Sequence, residues 1–186
     1  MRTVLAVIIL LLTTPMSWAF ADEPGAAPPV DAVTRTVELI NAHRAEHGVA
    51  PLFLDSEVTR TAQEWADHLH GKDAFEHRPD NPYGENLFWT GGHRRTIDEV
   101  ASDAIENWYA ESRRYDYAQE MTASHVDLGV MHFTAMVWKS SDRVGIGLTQ
   151  GENGTYVVVN FAERGNTLDR FVANVLPPVT AARTSP

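Results

Sequence analysis

The chain has 186 residues, with 15 Lys and Arg against 25 Asp and Glu, a formal charge of −10. That balance argues against a general attraction to nucleic acid or anionic lipid, although it leaves room for a local basic patch. With no cysteine, disulfides, thiolate zinc sites and a bacterial lipid anchor are excluded, so the core must hold the fold alone.

The N-terminus carries Arg2, an apolar run from Val4 to Leu12, and Ala19-Phe20-Ala21. This pattern predicts an export signal over residues 1–21, with the mature chain starting at Asp22. The run is shorter than the roughly 20 residues that span a bilayer. The expected location is secreted, or periplasmic in a diderm bacterium. Glycine is absent from the second position, so N-myristoylation is excluded. About 165 residues remain, enough for one domain burying roughly 70% of its unfolded surface.

Residues 22–32 are rich in Pro, Gly and Ala and read as a flexible leader. A first helix is predicted over Val33 to His47, with Val33, Val37, Ile40 and Arg44 near one face and Gly48 as its stop. Asp55 caps a second helix, in which Val58, Ala62, Trp65, Ala66 and Leu69 recur at helical spacing up to Gly71. Phe75 to Tyr83 is a polar loop, Leu87 to Thr90 a short strand, and Gly91-Gly92 a turn. Thr96 and Glu99 form a capping box for a helix that buries Val100, Ala104, Ile105 and Trp108. Arg113 to Met131 has no clear period and reads as a long loop. Val144 to Thr149 and Thr155 to Phe161 alternate around Glu152-Asn153-Gly154, a β-hairpin. Asn153-Gly154-Thr155 is formally a glycosylation sequon, but Asn-Gly as a tight turn explains it sufficiently. No repeat or second domain is evident, and the order of elements fits a single α+β domain.

Three titratable residues stand in apolar company. His132 opens a run containing Phe133, Met136, Val137 and Trp138. A side chain there is hydrogen-bonded, metal-bound or catalytic, and a satisfied core histidine fits the segment equally. Glu111 follows Trp108 by three residues and so projects along the apolar stripe. Glu85 alternates with Leu87 and Trp89. Each glutamate either has a buried partner or has already reached solvent.

His43, Glu46 and His47 match the H-x-x-E-H zinc signature. Gly48 ends that helix directly, and a histidine in a last turn is favoured by the helix dipole. His68 and His70 read as solvated, and His93 as part of a turn. His125, in the long loop, is within reach of a cleft. Nucleophile elbows, phosphate-binding glycine loops and dinucleotide fingerprints are absent.

Four ordered stretches carry a resemblance: Asn41 to Leu52, Tyr83 to Trp89, His132 to Trp138, and Tyr156 to Asn166. They resemble the CAP superfamily of cysteine-rich secretory proteins, antigen 5 and pathogenesis-related 1 proteins. Asn174 to Pro178 resembles the Golgi-associated branch in particular. The likeness runs over residues 33–178, leaving 179–186 as a tail. It implies an α-β-α sandwich with a small antiparallel sheet between helical layers. It also implies a central cleft lined by His77, Glu85, Glu111 and His132, a donor set that suits a divalent metal, zinc first. Arg78 stands where relatives often have serine. The function implied is binding of a lipid or sterol in the cleft or an apolar groove, with or without the ion. The alternatives are a metal-assisted hydrolase, with His77 and His132 holding the ion and a glutamate activating water, and an interaction protein with a protein partner in defence.

Overall fold

The computed structural model describes residues 30–92 and 95–179. The expected signal sequence, most of the leader, His93 and the end of the tail lie outside the described residues. Among the described residues there are five helices: α1 (Val30–Glu46), α2 (Ser56–Lys72), α3 (Ile97–Ala110), α4 (Met131–Met136) and α5 (Phe171–Asn174). Four strands, β1 (Phe53–Leu54), β2 (Gly84–Thr90), β3 (Arg143–Gly151) and β4 (Gly154–Ala162), form one sheet in the order β1-β3-β4-β2. β1 runs parallel to β3, and the other pairs are antiparallel.

Two glycines decide how closely the layers meet. A Cβ on Gly145 would lie 2.2 Å from the Val58 carbonyl carbon, and one on Gly147 would lie 2.3 Å from Ala62 O. The backbone of α2 therefore rests directly on β3, the close approach that strand glycines permit. Around this contact Ala62, Trp65, Ala66 and Leu69 pack on Leu87, Tyr156 and Val158. Gln63 reaches past the short β1 to the open edge of β3, where it accepts from Leu148 N and donates to Leu148 O.

The opposite face of the sheet presents Val144, Ile146, Leu148, Val157, Val159 and Phe161. α1 and α3 cover it with Ile40, Val100, Ala104, Ile105 and Trp108. The result is the expected three-layer sandwich. A third cluster joins α4 and α5 to the long connection through Tyr115, Met121, Phe133, Trp138, Phe171 and Val175.

Several boundaries differ from the sequence reading. α1 starts at Val30, because Ala32 already enters the core at 1% exposure. α2 continues past Gly71 to a left-handed cap at Asp73 (φ 50°). β2 begins at Gly84, so Glu85 lies on the strand, paired with Asn160. The stretch Arg113 to Met131 holds two 3-10 turns, Glu111–Arg114 and Leu128–Val130. Its apolar residues enter the third cluster singly, which leaves no period to read. In the hairpin Gly151 pairs with Gly154, and Gly154 (φ 119°) takes the conformation that glycine allows.

The histidines outside the cleft also separate. His43 lies between Glu46 and Glu106, at 3.0 and 3.1 Å, and stacks on Tyr109. His47 is buried, with Nδ1 on Leu176 O at 2.6 Å and Nε2 on Tyr109 Oη at 3.1 Å. Both of its ring nitrogens are engaged, so the H-x-x-E-H pair is a structural brace. His68 stacks on Trp65. His70 corrects the solvated expectation, since its Nε2 is buried without a hydrogen-bond partner. Gly151 lies so close to that ring that a Cβ would stand 2.2 Å from Nε2.

Candidate functional site

The site is assembled around two imidazole–carboxylate pairs. The first stands at the junction of α3 and α4. Glu111 caps the end of α3, and its Oε2 accepts from the backbone N–H groups of His132 and Phe133, both at 3.1 Å. These N–H groups open α4, whose own N-cap residue, Val130, supplies no side-chain bond. A carboxylate is the natural acceptor at a helix N-terminus. The other oxygen, Oε1, meets His132 Nδ1 at 2.7 Å. Trp108 stacks on the imidazole at 5.8 Å, and Asn86 donates to His132 O at 2.9 Å. His132 is thus fixed by α3, β2 and its own helix.

The second pair joins β2 to the loop after α2. Glu85 is 4% exposed, and its Oε1 accepts from His77 Nδ1 at 2.8 Å and Arg78 N at 3.0 Å. Asn81 Nδ2 donates to Glu85 Oε2 at 2.9 Å and lies 3.2 Å from Asn160 Oδ1. The loop is tied to α2 twice, by Trp65 Nε1 donating to Glu76 O and by Arg78 Nη1 donating to Thr61 O. The Glu85 carboxylate raises the His77 pKa above its ordinary value, since the bond favours the protonated ring.

His77, Glu85 and His132 line one cavity of about 750 Å³. Glu111 stands behind His132, so the structure joins all four expected residues as two pairs with three at the cavity wall. Both imidazoles use Nδ1 for their glutamate, and neither Nε2 has a hydrogen-bond partner among the described residues. The glutamates hold the rings as outer-shell carboxylates orient metal-ligating histidines. Each also accepts from N–H donors, Glu111 from His132 and Phe133 and Glu85 from Arg78 and Asn81. Among the described residues no three His, Asp or Glu side chains surround a single metal position.

His125 faces a separate pocket of about 130 Å³ with Arg114 and Asp127, away from the cleft. Arg78, which stands where relatives often have serine, lines the cavity. The sequence reading missed Asn81, Arg164 and Asn166, which also line it. Two buried asparagines on sheet strands, Asn86 and Asn160, were the available signal, because buried amides on strands imply a polar network beside them.

Comparison with known proteins identifies the family. A profile of the cysteine-rich secretory protein (CAP) family matches residues 37–161. The human Golgi-associated plant pathogenesis-related protein 1 is 33% identical over 144 residues, covering 74% of this chain and 88% of that protein. Pathogenesis-related protein 1A of Nicotiana tabacum is 37% identical over 127 residues, covering 68% and 71%. The crystal structure of NaASP2 with Zn2+ superposes with a TM-score of 0.63 at 23% identity, covering 75% of this chain and 86% of that one. By family profile, by relatives and by fold, this chain belongs to the CAP family, of the pathogenesis-related 1 type.

Proposed function

We propose that this chain is an exported CAP-domain binding protein whose cleft holds a divalent cation, zinc first, between the Nε2 atoms of His77 and His132. One observation carries the reading: each imidazole gives Nδ1 to a carboxylate and keeps Nε2 unpaired beside a shared cavity. Imidazole nitrogen suits zinc, and a carboxylate on the far ring nitrogen fixes the tautomer that ligation needs. The Zn2+ in the NaASP2 crystal structure supports the choice of ion. The N-terminal pattern of Arg2, the Val4 to Leu12 run and Ala19-Phe20-Ala21 supports export.

A bound cation supplies Lewis acidity and a fixed positive charge. The chain supplies orientation, and its glutamates are committed to Nδ1 and to N–H donors. Neither carboxylate is placed as the free base that a hydrolase requires, so binding is the better-supported reading. A lipid or sterol has only Leu128, Met131 and Ala135 as aliphatic lining against the cavity's many polar groups. A ligand with a polar head suits that balance better than an apolar one.

Thermal unfolding at pH 7.5, with and without zinc, tests the site. Zinc should raise the Tm of the wild type by mass action and leave the His77→Ala/His132→Ala double variant unchanged. Equal shifts in both proteins would place the ion elsewhere, and no shift in the wild type would remove the metal.

A further inference from the structure

We propose that Asn153 is a deamidation site, converted through a cyclic imide with Gly154, and that the indole of Trp89 latches it shut. The pair stands at the tip of the β3–β4 hairpin, where Gly151 pairs with Gly154 across Glu152 and Asn153. No other asparagine in the chain precedes a glycine. Glycine has no Cβ to obstruct attack of its backbone nitrogen on the preceding side chain. Asn153 is exposed, and its side-chain amide makes no hydrogen bond among the described residues.

The same residues read as a glycosylation sequon, and the fold separates the two chemistries. Thr155 is fully buried, and its Oγ1 accepts from Gln150 Nε2 at 2.6 Å. The sequon hydroxyl is therefore committed once the chain has folded. Deamidation needs only the exposed amide, the Gly154 N–H and water. The Gly154 N–H gives its proton to hydroxide, and the nitrogen attacks Asn153 Cγ. As the N–Cγ bond forms, the Cγ–Nδ2 bond breaks, and Nδ2 takes a proton from water and leaves as ammonia. Water then opens the imide. Cleavage at Cγ returns the ordinary backbone with an aspartate. Cleavage at the main-chain carbonyl carbon gives isoaspartate, in which the chain runs through Cβ and Cγ and is longer by a carbon. Both products add a negative charge beside Glu152.

The latch lies on β2. Trp89 Nε1 donates to Asn153 O at 3.1 Å. Gly154 is buried, and a Cβ on it would stand 2.3 Å from Thr90 O and 2.9 Å from Trp89 Nε1. The peptide between Asn153 and Gly154 is thus packed on the end of β2 and paired with Gly151. It must leave both before its nitrogen can turn on Cγ, so the reaction proceeds from a locally opened tip. The longer isoaspartate backbone does not fit the close contact at Thr90. Conversion therefore detaches the hairpin tip from β2 and releases Trp89.

The test follows amide loss in the full chain held in mildly alkaline buffer, for wild type, Trp89→Phe and Asn153→Gln, folded and unfolded in urea. Trypsin cleavage after Arg143 and Arg164 releases one peptide that holds both Asn153 and Asn160, so buried Asn160 is the internal control. Mass spectrometry of that peptide from the folded wild type should show conversion at Asn153 and none at Asn160, with isoaspartate identified by enzymatic methylation. Asn153→Gln should lose no amide there, because its longer side chain cyclises slowly. Trp89→Phe should convert about fivefold faster than wild type when folded, the gain in opening from losing one ordinary hydrogen bond, and at the wild-type rate in urea. Asn153 intact in the folded wild type after the unfolded chain has converted, or a glycan on it in the exported chain, would overturn the site. Equal rates for folded Trp89→Phe and wild type would overturn the latch. If Trp89→Phe does not fold, the wild type decides alone: folded chain converting as fast as unfolded chain overturns the latch, and slower conversion supports it.

Discussion

Arg44 is the residue whose loss should cost this fold most for a change that leaves the cleft untouched. It is fully buried near the end of α1, and no carboxylate accompanies it. Its guanidinium donates instead to four carbonyls: Ala50 O at 2.8 Å, Met136 O at 3.0 Å, Trp138 O at 2.9 Å and Ser141 O at 2.9 Å. Bonds from a charged donor contribute roughly 1.5–3 kcal/mol each, or about 6–12 kcal/mol gross for the four. Burial opposes this, and lowers the Arg44 pKa from 12.5 to about 10. At 1.36 kcal/mol per pKa unit that penalty is on the order of 3 kcal/mol. The difference at the low end is still about 3 kcal/mol.

Arg44→Met keeps most of the apolar volume and strips the donors, so it isolates the hydrogen bonds from a cavity effect. The expected loss is about 3–5 kcal/mol, read as a lower midpoint in urea unfolding followed by tryptophan fluorescence. Arg44→Lys retains the charge but cannot reach four acceptors from one nitrogen, and should fall between. A midpoint for Arg44→Met within error of wild type, at unchanged m-value, would refute the reasoning. The four carbonyls would then find water or other donors at no cost. The prediction bears on a chain with no cysteine. Arg44 ties α1 to the end of α4 and the turn before β3, across more than 90 residues of sequence.

Gly147→Ala should lower stability by about 1–3 kcal/mol, because a Cβ there would meet the backbone of α2 at Ala62; an unchanged Tm would mean that α2 can lift from the sheet freely. His47 should make the fold acid-sensitive, since burial lowers its pKa and keeps the native ring neutral. The unfolded chain takes up a proton from about pH 6.5 downward, so stability should fall as pH drops below that value. His47→Asn, which places an amide N–H near Leu176 O, should flatten the urea-midpoint profile between about pH 6.5 and 5.5, and a parallel profile would remove His47 as the cause. His77 contributes with the opposite sign: its raised pKa stabilises the fold below about pH 6.5, and this is lost as pH rises through the native value. Its ring is 66% exposed, so screening keeps that contribution small, and it is common to both proteins in the comparison.

The helices were legible wherever one face is buried and a cap marks the start. α2 buries Val58, Ala62, Trp65, Ala66 and Leu69, the residues that its period predicts, behind Asp55. The capping box at Thr96 and Glu99 is formed. β1 was not legible, because two residues carry no period and both side chains are exposed. α5 is a single turn whose burial depends on Phe171 meeting Trp138, a contact that no local pattern announces. The glutamates were legible as anomalies, acids on apolar faces, while their pairing with His132 and His77 rested on the family resemblance. The place of Arg164 at the cavity wall was not legible. It depends on Asn166 bonding to α4 and Gly165 packing on Trp138, and an arginine between a glutamate and a glycine reads as surface.

The two glutamates show why a polar site survives inside a small core. A buried carboxylate is costly unless hydrogen bonds replace its hydration. Glu111 obtains two from backbone N–H groups that open α4, and would need an acceptor there even without an imidazole. Glu85 obtains one from Arg78 N and another from Asn81. Each acid is therefore held first by the fold, and the histidine completes it. This order of dependence has a functional consequence. The rings are oriented by groups that the fold itself requires, so no strain must be stored to keep Nε2 pointed away from its glutamate. The arms differ in rigidity. His132 is clamped by Trp108 and its own helix, and His77 rides on an exposed loop. Both rings are nonetheless held through Nδ1, His132 by Glu111 at 2.7 Å and His77 by Glu85 at 2.8 Å, so the difference between them lies in exposure rather than in how they are anchored.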